Sequence, residues 1–307
     1  MGKIILRRLL QNVVLVVVIV LIVFVLMRLT AGDPARMKAP VFASDAILES
    51  YRQQFGTDKP LTSQLWDFVS GLPHGDFGTS FRYQQPVFDL IWQRVPETAL
   101  LALTSLTLAL IVAITLGIAG ARHPGSAIDR FGIAISTLGQ SAPTFWVALM
   151  LVLIFSVHFG WFPAVGFNGW KSLVLPSIAV AMAVFPADLR VLRASMIDTF
   201  HQEHIRTARA FGISDRRITW LYAFRNAALP LITVVGIDLG YLLGGTIVAE
   251  VVFNYPGVGQ LAIDSVNARD YPLIQAITIL TALVFVFVNL GIDLLYMVLD
   301  PRIRIEA

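Results

Sequence analysis

Long apolar runs separated by short polar stretches organise this sequence. Runs at Leu9–Leu29, Thr98–Ala121, Phe131–Phe155, Ser172–Leu192, Pro230–Val252 and Leu273–Leu299 each reach the roughly 20 residues a helix needs to cross a bilayer. Inside lipid the backbone N–H and C=O groups must be satisfied within the segment, so runs of this kind predict helices. The expectation is an all-α polytopic integral membrane protein with six transmembrane helices. Lys3, Arg7 and Arg8 precede the first run, as they would in a signal peptide. Its apolar stretch is longer than an h-region and no small-x-small cleavage site follows, so it reads as a retained anchor.

Two polar segments stand out between the runs. Thr30–Pro96 mixes apolar and polar residues and holds Trp66, Phe68, Phe77, Phe81 and Trp92. Its Gly and Pro punctuation argues against an independent domain, and folding back over the helices would bury its aromatics. The other segment, His201–Pro230, reads HQEHIRTARAFGISDRRITWLYAFRNAALP. Glu203–Phe211 predicts a helix with an apolar row at Ile205, Ala208 and Phe211, and with Arg206 and Arg209 on other faces. Gly212 sits where a left-handed C′ residue ends a helix. Ser214 is placed to cap a second helix with Asp215 in its first turn. That helix would carry Ile218, Leu221 and Tyr222 on one face and stop at Leu229-Pro230, where the fifth run begins.

Composition places the chain outside the soluble class: 56 % hydrophobic, 14 % charged, mean hydropathy +0.73. A net charge of only +3 leaves no nucleic-acid footprint. Cysteine is absent, which excludes disulfides, thiolate catalysis and Cys-ligated metals. The arginines set orientation. With both termini inside, the inner face collects Lys3, Arg7, Arg8, Arg122, Arg130, Arg190, Arg193, Arg206, Arg209, Arg216, Arg217, Arg225, Arg302 and Arg304, and the short outer loops keep Lys171 and Arg269. The long Thr30–Pro96 segment counts little in this comparison. Fixing topology, or touching anionic lipid, takes a few arginines. Two amphipathic helices hinged on glycine point instead to a docking surface for a soluble partner.

Other residues invite chemistry and have quieter readings. Asp238 and Glu250 fall in the fifth run and Asp293 in the sixth; ionisable groups at membrane depth face a bundle interior or a wet cavity. Asp238 either lines a solute route or bonds a neighbouring helix, and structural roles suit Glu250 and Asp293. Pro143 and Tyr241 are further candidates for the translocation path. Gly236, Gly240, Gly244 and Gly245 offer a close-contact face to a partner subunit or to a helix of this chain. His201 and His204 lack a third ligand, so no metal site is expected. No Gly-rich phosphate loop, Ser-His-Asp order or H-E-x-x-H appears, so the chain should neither bind ATP nor act as an enzyme.

With these residues in view, the His201–Pro230 loop resembles the EAA-type coupling loop of ABC-importer permeases, in the version of the dipeptide/oligopeptide (peptide, nickel, glutathione) family. The Glu-Ala-Ala stretch falls on Arg206-Thr207-Ala208 and Gly212 follows. Arg206 and Thr207 depart from the general motif in the way of that subgroup's TARA-x-G form, and the departure counts against a sugar permease. Gly75–Ser80 with Pro86-Val87, Ser141–Trp146, Phe159–Pro163, Glu250–Phe253, Pro256–Gly259, Ala268–Pro272 and Asp300–Arg304 match the same family in order and spacing. The long first outer segment is similar to that of a B-type permease subunit.

The resemblance implies a first helix at 1–29, an external segment at 30–97 and a five-helix permease core at 98–307 with the coupling loop at 193–229. It implies that Glu203, Arg206, Thr207, Ala208, Arg209, Ala210, Gly212 and Asp215 belong to the ATPase-coupling loop. The implied partners are a second homologous permease, two ABC ATPase subunits that bind ATP and Mg, an external solute-binding protein and the bilayer. The implied cargo is short peptides, with nickel, glutathione or another small solute as alternatives. Two other classes remain: an ion-gradient-driven transporter with Asp238 in the ion route, and a membrane scaffold without a pathway.

Overall fold

The computed structural model describes residues 2–29, 35–36, 39–40 and 42–299, and of 2–9, 73, 243–245 and 293–299 the backbone alone. The side chains of Lys3, Arg7, Arg8, Gly244, Gly245 and Asp293, and all of Lys38 and Asp300–Arg304, lie outside the described residues. Helices make up the described chain: α1 (Gly2–Leu29), α2 (Asp45–Phe55), α3 (Leu61–Gly71), α4 (Val87–Trp92), α5 (Val95–Arg122), α6 (Ala127–Ser141), α7 (Thr144–Leu151), α8 (Lys171–Phe200), α9 (Glu203–Ala210), α10 (Asp215–Arg217), α11 (Arg225–Gly245), α12 (Ile247–Val252), α13 (Val258–Asn267) and α14 (Tyr271–Leu299). Among the described residues, five helices are long and apolar enough to cross a membrane, and a bent helix pair brings the number to six when it is counted as one span.

That pair corrects the third expected span. α6 and α7, the latter prolonged by π-helical turns at Val152–His158, meet at 108°. Pro143 is the cause. A residue before proline is pushed out of the helical region, and Ala142 is extended at φ −85°, ψ 126°. The fifth span begins earlier than expected. The helix runs on from Asp215 through π turns at Ile218–Phe224 into α11 and past Pro230. Leu229-Pro230 therefore stops nothing. Pro230 lies on an exposed face, so the Asn226 carbonyl it leaves unserved points away from the packed side.

The described residues form two compact units, Met1–Pro96 with Gly257–Val286, and Glu97–Pro256 with Phe287–Ala307. In the first, Val20, Phe77, Val87, Ile91, Leu261, Leu273 and Ile277 share one core. The outer segment's aromatics divide: Phe77 is buried, whereas Trp66 and Trp92 are exposed. Asp270, fully buried, accepts hydrogen bonds from the Ser80 hydroxyl and from the Phe81 and Arg82 amides, both at 3.0 Å. One carboxylate thereby pins the turn that Gly78 (φ 82°) and Gln84 (φ 55°) make possible.

In the second unit α8 is central, packed by α11, α6 and α7. Close approach needs glycine at Gly139, where an added Cβ would stand 2.9 Å from the Met182 carbonyl. Gly236 has the same role against Ile292 of α14, 2.9 Å from its Cδ1, so this part of the small-residue face meets a helix of the same chain. Glu250 is buried and accepts from Thr98 Oγ1 at 2.9 Å, in keeping with a structural role. Tyr255 donates to the Glu97 carbonyl at 3.2 Å. Burial first, then the Glu97 carboxylate, pushes its phenol pKa up.

Candidate functional site

The segment after α8 is short, exposed on one side and anchored on the other. α8 ends at Phe200, and the chain turns through His201 and Gln202 into α9. This break leaves His201 in the turn and His204 in the first turn of α9. His201 Nδ1 bonds the Ile197 carbonyl at 2.7 Å. Ile205 and Ala208 are buried and join Leu192, Met196, Ile218 and Ala223 in one apolar cluster, which holds α9 in place. Glu203, Arg206, Thr207, Arg209, Ala210, Gly212 and Asp215 all lie on the exposed side. Arg206 Nη1 meets Glu203 Oε1 at 2.8 Å, one helical turn apart, with both side chains largely in the open; such a pair adds little stability.

The turn itself is a Schellman closure. Gly212 has φ +73°, its N–H bonds the Arg209 carbonyl at 2.9 Å, and the Ile213 N–H bonds the Ala208 carbonyl at 3.2 Å. Two orphan carbonyls of α9 are satisfied this way, and Ile213 packs beside the cluster that holds Ala208. The glycine expected at C′ is found there. Ser214 takes the extended N-cap backbone (φ −61°, ψ 143°) but its hydroxyl makes no capping bond.

Two expected apolar positions point outward. Phe211 is 81 % exposed and Leu221 60 % exposed. Phe211 follows the last turn of α9 as its C-cap, beyond the face that Ile205 and Ala208 set. Leu221 falls in the π turns, whose wider spacing breaks the 3.6-residue register used to group it with Ile218 and Tyr222. The surface thus offers a phenyl ring beside arginines at a rigid turn.

The three candidate path residues are not gathered on one surface. Pro143 and Tyr241 are exposed and Asp238 is buried. Asp238 adjoins Asp188 of α8, itself fully buried. Among the described residues neither oxygen of Asp188 has a hydrogen-bond partner. Sequence reasoning singled out Asp238 and passed over Asp188. The same signal marked both, an ionisable group within a long apolar helix, but Asp188 stands next to the Arg190 and Arg193 at the end of the apolar run Ser172–Leu192.

This architecture agrees with the comparisons. Residues 113–305 match the family described as the inner membrane component of binding-protein-dependent transport systems. Residues 1–102 match the N-terminal part of the membrane component of such systems. The chain belongs to that permease family. It is 39 % identical over 300 residues to the glutathione transport system permease protein GsiC of Salmonella typhimurium LT2, covering 98 % of both chains. The GsiC protein of Escherichia coli K12 is as similar, 39 % over the same length. An inward-facing MetNI methionine ABC transporter chain superposes with TM-score 0.58 at 16 % identity, over 69 % of this chain and 96 % of that one. An amino acid ABC transporter crystallised with histidines gives 0.54 at 14 %, over 67 % and 92 %. Those two likenesses speak to fold alone. As a family member the chain is a multi-pass inner-membrane permease subunit of an ABC importer, a transport component and not a catalyst.

Proposed function

We propose that this permease pairs with a second, homologous permease and, through the α9–Gly212 turn, with two ATPase subunits that bind ATP and Mg. An external solute-binding protein delivers cargo to the pair. Both termini and the α9 turn face the cytoplasm, and Thr30–Pro96 faces outside, as the arginine distribution supports. The carrying observation is the α9 turn: one face locked by Ile205 and Ala208, the other presenting Phe211, Arg206 and Arg209 to solvent. A rigid lever of this kind passes ATPase closure into α8 and α11, and the bundle opens outward to accept solute. Coexpression with the ATPases tests this. Wild-type permease should retain them through purification, and Phe211→Ser should lose them; unchanged retention would refute the docking role.

The cargo is a short peptide. Glutathione, itself a small peptide-like solute, is a second reading, favoured by relatives named as glutathione permeases. Uptake of radiolabelled trialanine or glutathione by the reconstituted complex distinguishes them, and uptake of nickel but of neither peptide would reject both.

A further inference from the structure

The first unit forms a half-open cleft of about 710 Å³, walled by the end of α1, α2 and α3, the Asp76–Gln84 loop and the start of α14. Small-solute sites ordinarily span about 300–1,000 Å³. The polar wall holds one cation, Arg28, two carboxylates, Asp67 and Asp76, and a set of amides and hydroxyls. Arg28 lies over the Phe24 ring, 3.3 Å from its centroid. It donates to Gln64 Oε1 at 3.0 Å and to the Phe24 carbonyl at 3.3 Å, and neither acceptor carries charge. An arginine fork has five N–H groups, so most remain for a ligand. Gln275 is 6 % exposed and lines the cleft, and among the described residues neither its Nε2 nor the Tyr271 hydroxyl has a hydrogen-bond partner. The two carboxylates in the wall are engaged. Asp67 Oδ2 stands 2.6 Å from Lys59 Nζ, and Asp76 Oδ1 accepts the Gly78 N–H at 2.9 Å. Buried donors without acceptors are costly, and an anionic oxygen pair would satisfy them with charge-assisted bonds.

We infer that this cleft is a subsite for the carboxylate of the arriving solute, held by Arg28 with Gln275 and Tyr271. The inference rests on the reading that the cargo is a peptide or glutathione, both of which carry a carboxylate. The volume leaves room for the body of a short peptide.

Equilibrium dialysis of radiolabelled trialanine and of its C-terminal amide against the purified permease–ATPase complex, without binding protein, tests this. The acid should bind about fivefold more tightly than the amide. Arg28→Gln should erase that preference. Gln275→Leu should reduce it and is the variant to use if Arg28→Gln fails to assemble. Equal binding of acid and amide, or no saturable binding, overturns the subsite. So does Arg28-dependent binding of dioctanoyl phosphatidylglycerol that trialanine does not displace, since the site then belongs to a lipid phosphate. Uptake with the binding protein present separates the two readings. Peptide uptake without carboxylate preference in dialysis removes the subsite alone; preference in dialysis without uptake of trialanine or glutathione removes the cargo reading alone.

Discussion

Arg193 grips Asp129 with a two-pronged ion pair, Nε to Oδ1 at 2.5 Å and Nη2 to Oδ2 at 2.8 Å. Asp129 is 3 % exposed, and Oδ2 also accepts the Gly125 N–H at 2.8 Å. The pair ties the first turn of α6 to the end of α8 that leads into the α9 turn. Gly120 makes room for it, since a Cβ there would stand 2.7 Å from Oδ1. Removing one partner of a buried pair costs about 3–5 kcal/mol. Arg193 reaches solvent in part, so the lower end, about 3 kcal/mol, is expected for Asp129→Ala. Thermal unfolding of the purified complex should shift down for Asp129→Ala and also for Gly120→Val. An unchanged midpoint for both would deny the pair its structural role.

Much of this was readable from the chain. Apolar runs gave the spans because lipid leaves helices as the way to satisfy a backbone. Gly212 was readable because a Schellman closure needs a residue at positive φ. Other features depend on contacts between distant residues or on backbone register. The 108° bend follows from Pro143 only when α6 and α7 are packed on α8. The π turns at Ile218–Phe224 turned Leu221 outward, and no 3.6-residue pattern foresees that. Asp188 gained meaning only beside Asp238. The site residues of the loop were placed by motif and spacing, while Phe211 was read as core because apolar residues usually are.

Asp188 and Asp238 yield a test based on paired acceptors. Asn at either position supplies an amide donor to the remaining carboxyl group, so Asp188→Asn and Asp238→Asn should both insert and assemble. Leu at one position strands the other carboxyl at a cost of about 1–3 kcal/mol, whereas Leu at both removes the polar pair and should be milder. Membrane abundance and thermal midpoints check the order. Asp238→Asn should also change the uptake rate of the assembled complex. Disappearance of the complex from the membrane would make Asp238 a structural partner only.

Topology is testable with single cysteines, because the chain has none of its own. Pro60 and Asp215 are both exposed. An impermeant maleimide added to sealed cells should label Pro60→Cys and leave Asp215→Cys untouched until the membrane is opened. The reverse pattern would invert the orientation argued from the arginines.

Gly212 and Phe211 separate the stability of the α9 turn from its contact with a partner. A Cβ at Gly212 meets no atom within 4 Å, so sterics inside the chain are not the obstacle. The backbone is: φ +73° costs a non-glycine residue about 1 kcal/mol. That is too little to stop a membrane bundle from inserting. It is enough, with a bulky side chain, to reshape the surface an ATPase would touch. Gly212→Leu should therefore give normal membrane levels with ATPases lost, or retained but no longer driving uptake. Phe211→Ser, which removes a largely exposed ring and little buried area, should leave the thermal midpoint nearly in place and weaken ATPase retention. Gly212→Asn should fall between Gly212→Leu and wild type, because asparagine tolerates the left-handed region better than leucine. If Gly212→Leu and Phe211→Ser both kept their ATPases and imported solute at the wild-type rate, the α9 turn would have no part in coupling.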